Sequence, residues 1–421
     1  MISAVRGTHD ITPGEVERWQ RLERVARDVC QRYGYHEIRT PVIEREELFA
    51  KGTGESTDIV QKEMYTFTDK GGERITLRPE ATPSMVRAFV EHSLEQTHPI
   101  VKLYSMGPMF RYERPQKGRY RQFHQLDVEA FGMQAPFLDA EIIEMAAQLV
   151  TELGIEDSEL VINSVGCSTC RPVFSIAVIE ALGQRVSELC GDCQRRVQTN
   201  PLRIFDCKVA ADQSIINGLP YSLDYLCTAC HEHFEAVRQV LDTFGLPYQV
   251  SHRLVRGLDY YTRTTFEIIG QTLGAQDALL GGGRYDGLIK HLGGPDRSGI
   301  GYAAGLERLV MAMPADAVVA TTPDAYVVAI GEDARLSAQM LARDLRHAGL
   351  CTLVDYDVRS PRSQMKRANR TRASHVLIVG GDELDKGLVS LKDMSTSEQE
   401  SVARGDVVDR VCQRQRDSLG T

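Results

Sequence analysis

Apolar positions outline the chain. Trp19, Leu22, Val25, Ala26 and Val29 recur at helical spacing behind Thr12 and Pro13, and Gly34 follows, which predicts an amphipathic helix over 13–33. IRTPVIE (38–44) reads as a strand carrying a proline, hence an edge or interface position. ERITLR (73–78) and VKLYSM (101–106) read as strands around a helix from about Pro83 to His92. Phe123–Phe131 alternates polar and apolar residues, making 110–122 the loop of a long hairpin. Strands recur at 160–165, 264–269 and 299–304, the last leading into a helix near Leu306. The pattern predicts an α+β domain over 1–320, with a mixed, mostly antiparallel sheet and flanking helices. A helix-rich insertion of about 167–250 interrupts it. From Pro323 to 421 strands and helices alternate, which predicts a separate α/β domain.

Composition narrows this little. The 421 residues are 42% hydrophobic and 25% charged, enough for sizeable cores and unlike a disordered chain. No run of about 18 apolar residues occurs, so no membrane span is expected. The first residues carry charges where a secretory leader needs an apolar stretch. Ten cysteines without such a leader point to the cytoplasm, where thiols stay reduced. A formal net charge of −9 argues against a surface coated for indiscriminate nucleic-acid binding, but not against local basic patches.

One such patch is Phe110–Gln125, FRYERPQKGRYRQFHQ, with five cations, Glu113 as its one acid, and interleaved aromatic and Gln residues. Guanidinium forks suit phosphates and aromatic rings suit bases, although a solvated hairpin tip has the same composition. Its neighbours decide between these. IRTPVIE with Pro41, FRYERPQKGRYRQFHQLDVEAFG with Arg111, and GIGYAAGLERL (299–309) with Arg308 resemble, in order, motifs 1, 2 and 3 of class II aminoacyl-tRNA synthetases. RGTHDITPGE (6–15), TLRPEATPSMVRAFVEH (76–92), LVRGLDYYTRTTFEI (254–268) and GGGRYDGL (281–288) resemble histidyl-tRNA synthetases, LVRGLDYY most specifically.

That resemblance covers essentially the whole chain. It implies a homodimeric enzyme that uses ATP with Mg2+, L-histidine and histidine tRNA, and passes through a histidyl-adenylate. It also implies the residue roles. Arg111 would bind the α-phosphate, Arg308 the γ-phosphate side, and Arg256 would be a fixed catalytic cation. Glu80, Ala81, Thr82 and Gln125 would take the amino end of histidine. Glu129, Tyr260, Tyr261 and Tyr285 would line the imidazole pocket. Arg114, Gln116, Lys117, Arg119 and Arg121 are candidates for the acceptor end of the tRNA. Ala81 replaces a frequent glycine and Leu280 a frequent cysteine, which bears on substrate affinity rather than on the reaction. The competing reading is the non-catalytic, synthetase-like regulatory subunit of ATP phosphoribosyltransferase, which usually lacks the C-terminal domain and degrades LVRGLDYY.

GGGRYDGL lacks the Gly-Lys-Ser/Thr ending of a phosphate loop, so its glycines are expected to let backbone approach the ligand. In the C-terminal domain, RSPRSQMKRANRTR (359–372) holds six cations and no acid. Arg362, Lys366 and Arg370 share a helical face there, a footprint for RNA, and the resemblance makes this the anticodon-binding domain.

Seven cysteines crowd the insertion. Cys167-x2-Cys170 and Cys190-x2-Cys193 are spaced like a four-cysteine zinc site, Cys227-x2-Cys230 could pair with Cys190 and Cys193 instead, and Cys207 stands alone. An unbroken helix over 171–189 would hold the first two pairs about 28 Å apart, so joining them needs a reversal near Gly183. The spacing permits a structural zinc, but the resemblance does not call for one, and reduced buried thiols are the expectation.

Overall fold

The computed structural model describes residues 2–54, 57–96, 98–270, 278–315, 322–356 and 360–419. It divides into two compact units, Met1–Val318 and Val319–Thr421, so the predicted boundary at 320–323 falls partly on residues outside the description.

The first unit is built on an eight-stranded sheet. In spatial order its strands are His36–Glu37, Val101–Phe110, Gln122–Phe131, Gly299–Gly305, Ala278–Arg284, Thr262–Gly270, Ser158–Ser164 and Gln249–Val250. Pairing is parallel at the two edges and antiparallel between them. The prolyl segment 38–44 is not one strand. The chain leaves the large sheet after Glu37, passes Pro41 and re-pairs at Ile43–Arg45 in a three-stranded sheet with Arg74–Leu77 and Tyr65–Thr68. Pro41 lacks the N–H a continuous strand would use.

Alternation along Gln122–Phe131 decides which face is which. Leu126, Val128 and Ala130 join a core with Trp19, Leu22 and Val29 of helix Val16–Arg32, Ile142, Met145 and Leu149 of helix Pro136–Glu152, and Phe234, Val237 and Leu241 of helix Thr228–Phe244. The three helices therefore cover one face of the sheet, leaving Gln125, Asp127 and Glu129 on the other. Helix Thr228–Phe244 and strand Gln249–Val250 thus belong to the main body, although they were expected within the insertion. The insertion's own core is smaller and runs from Phe174 to Leu219.

A buried charge cluster fastens this arrangement. Arg284 and Asp139 are both fully buried and ion-paired. Asp139 also meets His233 Nε2 at 2.8 Å, and Arg284 Nη1 donates to Met133 O and Asp286 Oδ1, each at 3.0 Å. Sheet, helix Pro136–Glu152 and helix Thr228–Phe244 meet at this point.

The second unit carries a five-stranded sheet ordered Thr352–Val354, Ala325–Ile330, His375–Gly380, Leu388–Asp393 and Gln399–Ala403, parallel for three strands and then antiparallel. Helix Pro361–Thr371 is capped by the Ser360 hydroxyl, which accepts from Ser363 N at 3.3 Å. It buries Gln364 and Ala368 and exposes Arg362, Lys366 and Arg370, while Arg367 is ion-paired with Asp355. Arg359, the first cation of the basic run, lies outside the described residues. Among the described residues no helix is long and apolar enough to cross a membrane.

Arg284→Met should leave Asp139 buried with His233 as its remaining ionisable partner, at a cost of about 3–5 kcal/mol. Urea midpoints would read this as a lower transition at unchanged slope. The double variant Arg284→Met/Asp139→Leu should lose less than the two single losses added together.

Candidate active site

Above the face that the helices leave free lies a cleft of about 310 Å³, and most residues singled out above converge on it. The period of the strands places Gln125 and Glu129 on the same side of Gln122–Phe131, the first at the strand's fourth residue and the second four further on. Facing them across the sheet are glycines. Gly301 pairs with Glu129, and any side chain there would overlap the Glu129 carboxylate. A side chain at Gly299 would displace the Tyr285 ring, and one at Gly281 would displace Arg256 and Glu267. The glycine run was expected to admit backbone to a ligand. Its larger effect is to let long charged and aromatic side chains lie flat across the sheet.

One end of the cleft is acidic and aromatic. Glu80 accepts from Thr53 Oγ1 at 2.5 Å and from Tyr260 Oη at 3.1 Å. Thr82 Oγ1 donates to Glu129 Oε1 at 2.5 Å, and Tyr285 Oη donates to Glu129 Oε2. Tyr260 lies between Tyr261 and Tyr285, with ring centroids 4.7 and 5.6 Å away. Both neighbouring tyrosines reach the cleft because they sit in the turn before strand Thr262–Gly270, where strand alternation does not apply. Burial pushes the Glu80 carboxyl up and lifts Glu129 to about 8, the second helped by Asp127 and Glu80 nearby. Asp127, buried on the same strand face, is likewise raised to about 8 by desolvation, against the pull of Arg78. The buried Gln125 Oε1 has no hydrogen-bond partner among the described residues.

The other end is cationic. Arg111, Arg119, Arg256 and Arg308 all line the cleft. Arg111 Nε donates to Pro79 O at 2.9 Å and its guanidinium lies 5.2 Å from the Phe123 ring. Arg308 reaches Ala278 O at 2.8 Å and Gly118 O at 3.3 Å, tying the hairpin loop to the sheet. Arg256 is ion-paired with Glu267, and its guanidinium lies 5.9 Å from the Tyr261 ring. Burial depresses the pKa values of Arg119 and Arg308, and neighbouring guanidiniums depress them further. Burial and mutual repulsion thus both act against the charge on these two groups.

Ala81 and two of the five acceptor-end candidates have particular surroundings. Ala81 is packed behind the cleft with Met85, Phe89 and Tyr285 and is not in its wall. Arg121 is not at the exposed loop tip; its guanidinium stacks 4.0 Å over Tyr112, and its backbone N donates to Gly7 O at 2.7 Å, anchoring the N-terminal segment. Arg119 points into the cleft, ion-paired with Glu113. Arg114, Gln116 and Lys117 remain exposed. Glu267, Glu307 and Arg119 were not predicted in the cleft. Glu307 accepts from His124 N at 3.0 Å and holds the base of the hairpin. The period of FEI and the position directly before Arg308 were the available signals for the two acids.

The cysteines pair in neither of the expected ways. Cys167 and Cys170 meet Cys227 and Cys230, and Cys190 and Cys193 meet Cys207 and Asp212. Helix Cys170–Leu182 does end at Gly183, at φ +49°, but the chain turns toward Cys207 rather than back to Cys167.

Comparison with known proteins agrees with this geometry. A family model described as histidyl-tRNA synthetase matches residues 7–175 and 212–309, and one described as anticodon binding domain matches 324–414. The histidine–tRNA ligase of Desulforamulus reducens is 50% identical over 406 residues, covering 96% of this chain and 97% of that protein. That of Geobacter sulfurreducens is 49% identical over 402 residues, covering 96% and 97%. The crystal structure of apo S. aureus histidyl-tRNA synthetase superposes with a TM-score of 0.82 at 36% identity, covering 98% of this chain and 100% of that one. The chain belongs to the histidyl-tRNA synthetase family.

Proposed function

We propose that this chain is a histidine–tRNA ligase. It joins L-histidine to ATP, giving histidyl-adenylate and diphosphate, and then passes the histidyl group to the terminal adenosine of histidine tRNA with release of AMP. One observation carries the assignment: a single cleft holds buried carboxylates and tyrosines at one end and gathered guanidiniums at the other. An amino acid and a triphosphate bound there would meet in the middle, beside Arg256.

Attack of a carboxylate on the α-phosphate needs orientation and charge neutralisation more than covalent help. Arg111 and Arg256 would hold the α-phosphate and the attacking carboxylate, with Glu267 keeping Arg256 extended across the sheet. Arg308, and with it Arg119, would receive the outer phosphates of ATP, which enters with Mg2+. Glu80, Thr82 and the unpartnered Gln125 oxygen suit the substrate ammonium. Glu129, with Tyr285 and Tyr261, would take the imidazole. Analogues without the ring N–H would leave the buried Glu129 carboxylate one donor short of the bound state, a basis for rejecting them.

Arg114, Gln116 and Lys117, exposed at the loop tip, are the acceptor-end candidates, and Arg362, Lys366 and Arg370 are the anticodon-side candidates. The protein would act in the cytoplasm as a homodimer. Ile43 and Phe67, 51% and 43% exposed on the small sheet that continues from Pro41, provide apolar surface for the dimer contact.

Histidine-dependent ATP–diphosphate exchange tests the enzyme reading. Arg256→Ala should lower it by about 10²-fold or more at unchanged folding, and a well-folded wild-type protein without exchange would sink the assignment. A pH profile tests Glu129. Its pKa stands at about 8 in the ligand-free pocket, whereas a bound ring N–H favours the carboxylate, so binding below that pH releases a proton. KM for histidine should therefore climb as pH falls below about 8, by at most about tenfold per unit, until the substrate imidazole titrates near pH 6.5. Glu129→Gln should raise KM and flatten the slope. Replacing Arg362, Lys366 and Arg370 together by Ala should raise KM for tRNA roughly 10-fold while leaving diphosphate exchange intact.

A further inference from the structure

The reaction makes no use of the cysteines of the insertion, yet seven of them are gathered into two compact clusters. Cys167 and Cys170 sit where strand Ser158–Ser164 hands over to helix Cys170–Leu182, and Cys227 and Cys230 sit at the head of helix Thr228–Phe244. Two Cys-x2-Cys turns, remote in sequence, thus face each other at the neck where the chain enters and leaves the insertion. Their sulfurs lie within 4.8 Å of one another, with Cys167–Cys170 at 3.6 Å and Cys167–Cys227 at 3.9 Å. A tetrahedral zinc with Zn–S bonds of about 2.3 Å has S–S edges of about 3.8 Å.

The surroundings are those of thiolates. Thr169 N points at Cys167 Sγ at 3.4 Å and Cys227 N at Cys170 Sγ at 3.1 Å, as the backbone does around metal-bound sulfur. Gly166, at φ +68°, leaves room for Cys170, which a side chain there would strike. The ten cysteines are all free of disulfides.

We propose that Cys167, Cys170, Cys227 and Cys230 bind a structural zinc ion that staples the neck of the insertion, and that Cys190, Cys193, Cys207 and Asp212 bind a second. The second site rests on its own geometry. Cys190–Cys207 Sγ atoms are 3.9 Å apart and Cys207 Sγ is 3.2 Å from Asp212 Oδ2. Asp212 accepts from Cys190 N at 3.1 Å, and Val209 N points at Cys207 Sγ at 3.4 Å. Both sites have four protein ligands, no open position and mostly sulfur donors, which marks zinc in a structural rather than a catalytic role.

The need for them is physical. The insertion's core holds twelve buried residues, and Cys193 and Cys207 are two of these. So small a core is commonly secured by a metal or a covalent link. The neck is also joined to the cleft: Arg171, next to Cys170, donates to the Asp259 and Tyr261 carbonyls at 3.2 Å.

Native mass measurement on the full chain, purified without chelator under reducing conditions, should find two zinc ions per chain. Cys227→Ser and Asp212→Ala should each lose one. Cobalt(II) exchanged into the wild-type protein should give the intense absorption of tetrahedral thiolate sites, a readout that does not depend on a variant folding. One zinc retained in Asp212→Ala but lost in Cys227→Ser, from a wild type that also holds one, would overturn the second site. A wild type without zinc that also fails to take up cobalt into thiolate sites would overturn both.

Discussion

The cleft depends on bare backbone at a few positions of the central sheet. Adjacent strands stand about 4.8 Å apart, and side chains on one face normally fill the surface above them. Here Gly281, Gly299 and Gly301 leave that surface open, and Glu129, Tyr285, Glu267 and Arg256 occupy it lying down. Their polar ends are thereby brought to the middle of the sheet instead of its rim. A methyl group at Gly301 would meet Glu129 and the Val128 carbonyl together, and the second of these is backbone that cannot rotate away.

Such a floor places charges where water is scarce. Glu129 and Asp127 are raised to about 8, while the cations at the far end, Arg119 and Arg308, are depressed by burial and by one another. On the proposed reading, a ligand of opposite character would relieve each group: an N–H donor for the acids, a polyphosphate for the guanidiniums. The hydrogen bonds from Thr82 and Tyr285 already fix the direction of the Glu129 oxygens, so little reorganisation is left to the binding step. The stability this arrangement forgoes is supplied on the opposite face, where three helices bury aliphatic side chains and the Arg284–Asp139 pair locks them to the sheet.

This division of labour explains what could be read from the chain alone. Helix Val16–Arg32 and strand Gln122–Phe131 were legible because one face of each is buried, and burial imprints a period. Arg111, Arg256 and Arg308 were legible by resemblance and sit in the cleft. Glu267 and Glu307 were not singled out: the period of FEI and the place before Arg308 give a face for each, but not whether that face meets water or a guanidinium. Arg119 and Arg121 were both grouped by resemblance with the acceptor-end candidates of the loop. Their directions follow from Glu113 and Tyr112, partners that no count of cations within the loop reveals. Ala81 was misplaced for a simpler reason: its neighbours Glu80 and Thr82 face the cleft, and the residue between them turns into the core.

The cysteines show the same limit at longer range. Spacing within a pair is local and was read correctly, but partnership between pairs is a property of the path. Gly183 breaks helix Cys170–Leu182, as joining the first two pairs would require, yet the short turn that follows leads into helix Gly191–Thr199, whose first turn packs against Cys207. Cys167 and Cys170 are then left for the only other pair the main body brings near, that at the head of helix Thr228–Phe244. That helix is held by the aliphatic core and by His233 against Asp139, not by the insertion. The packing that supports the cleft therefore also positions one half of the neck, and Arg171 carries the position of the other half back to the turn bearing Tyr260 and Tyr261.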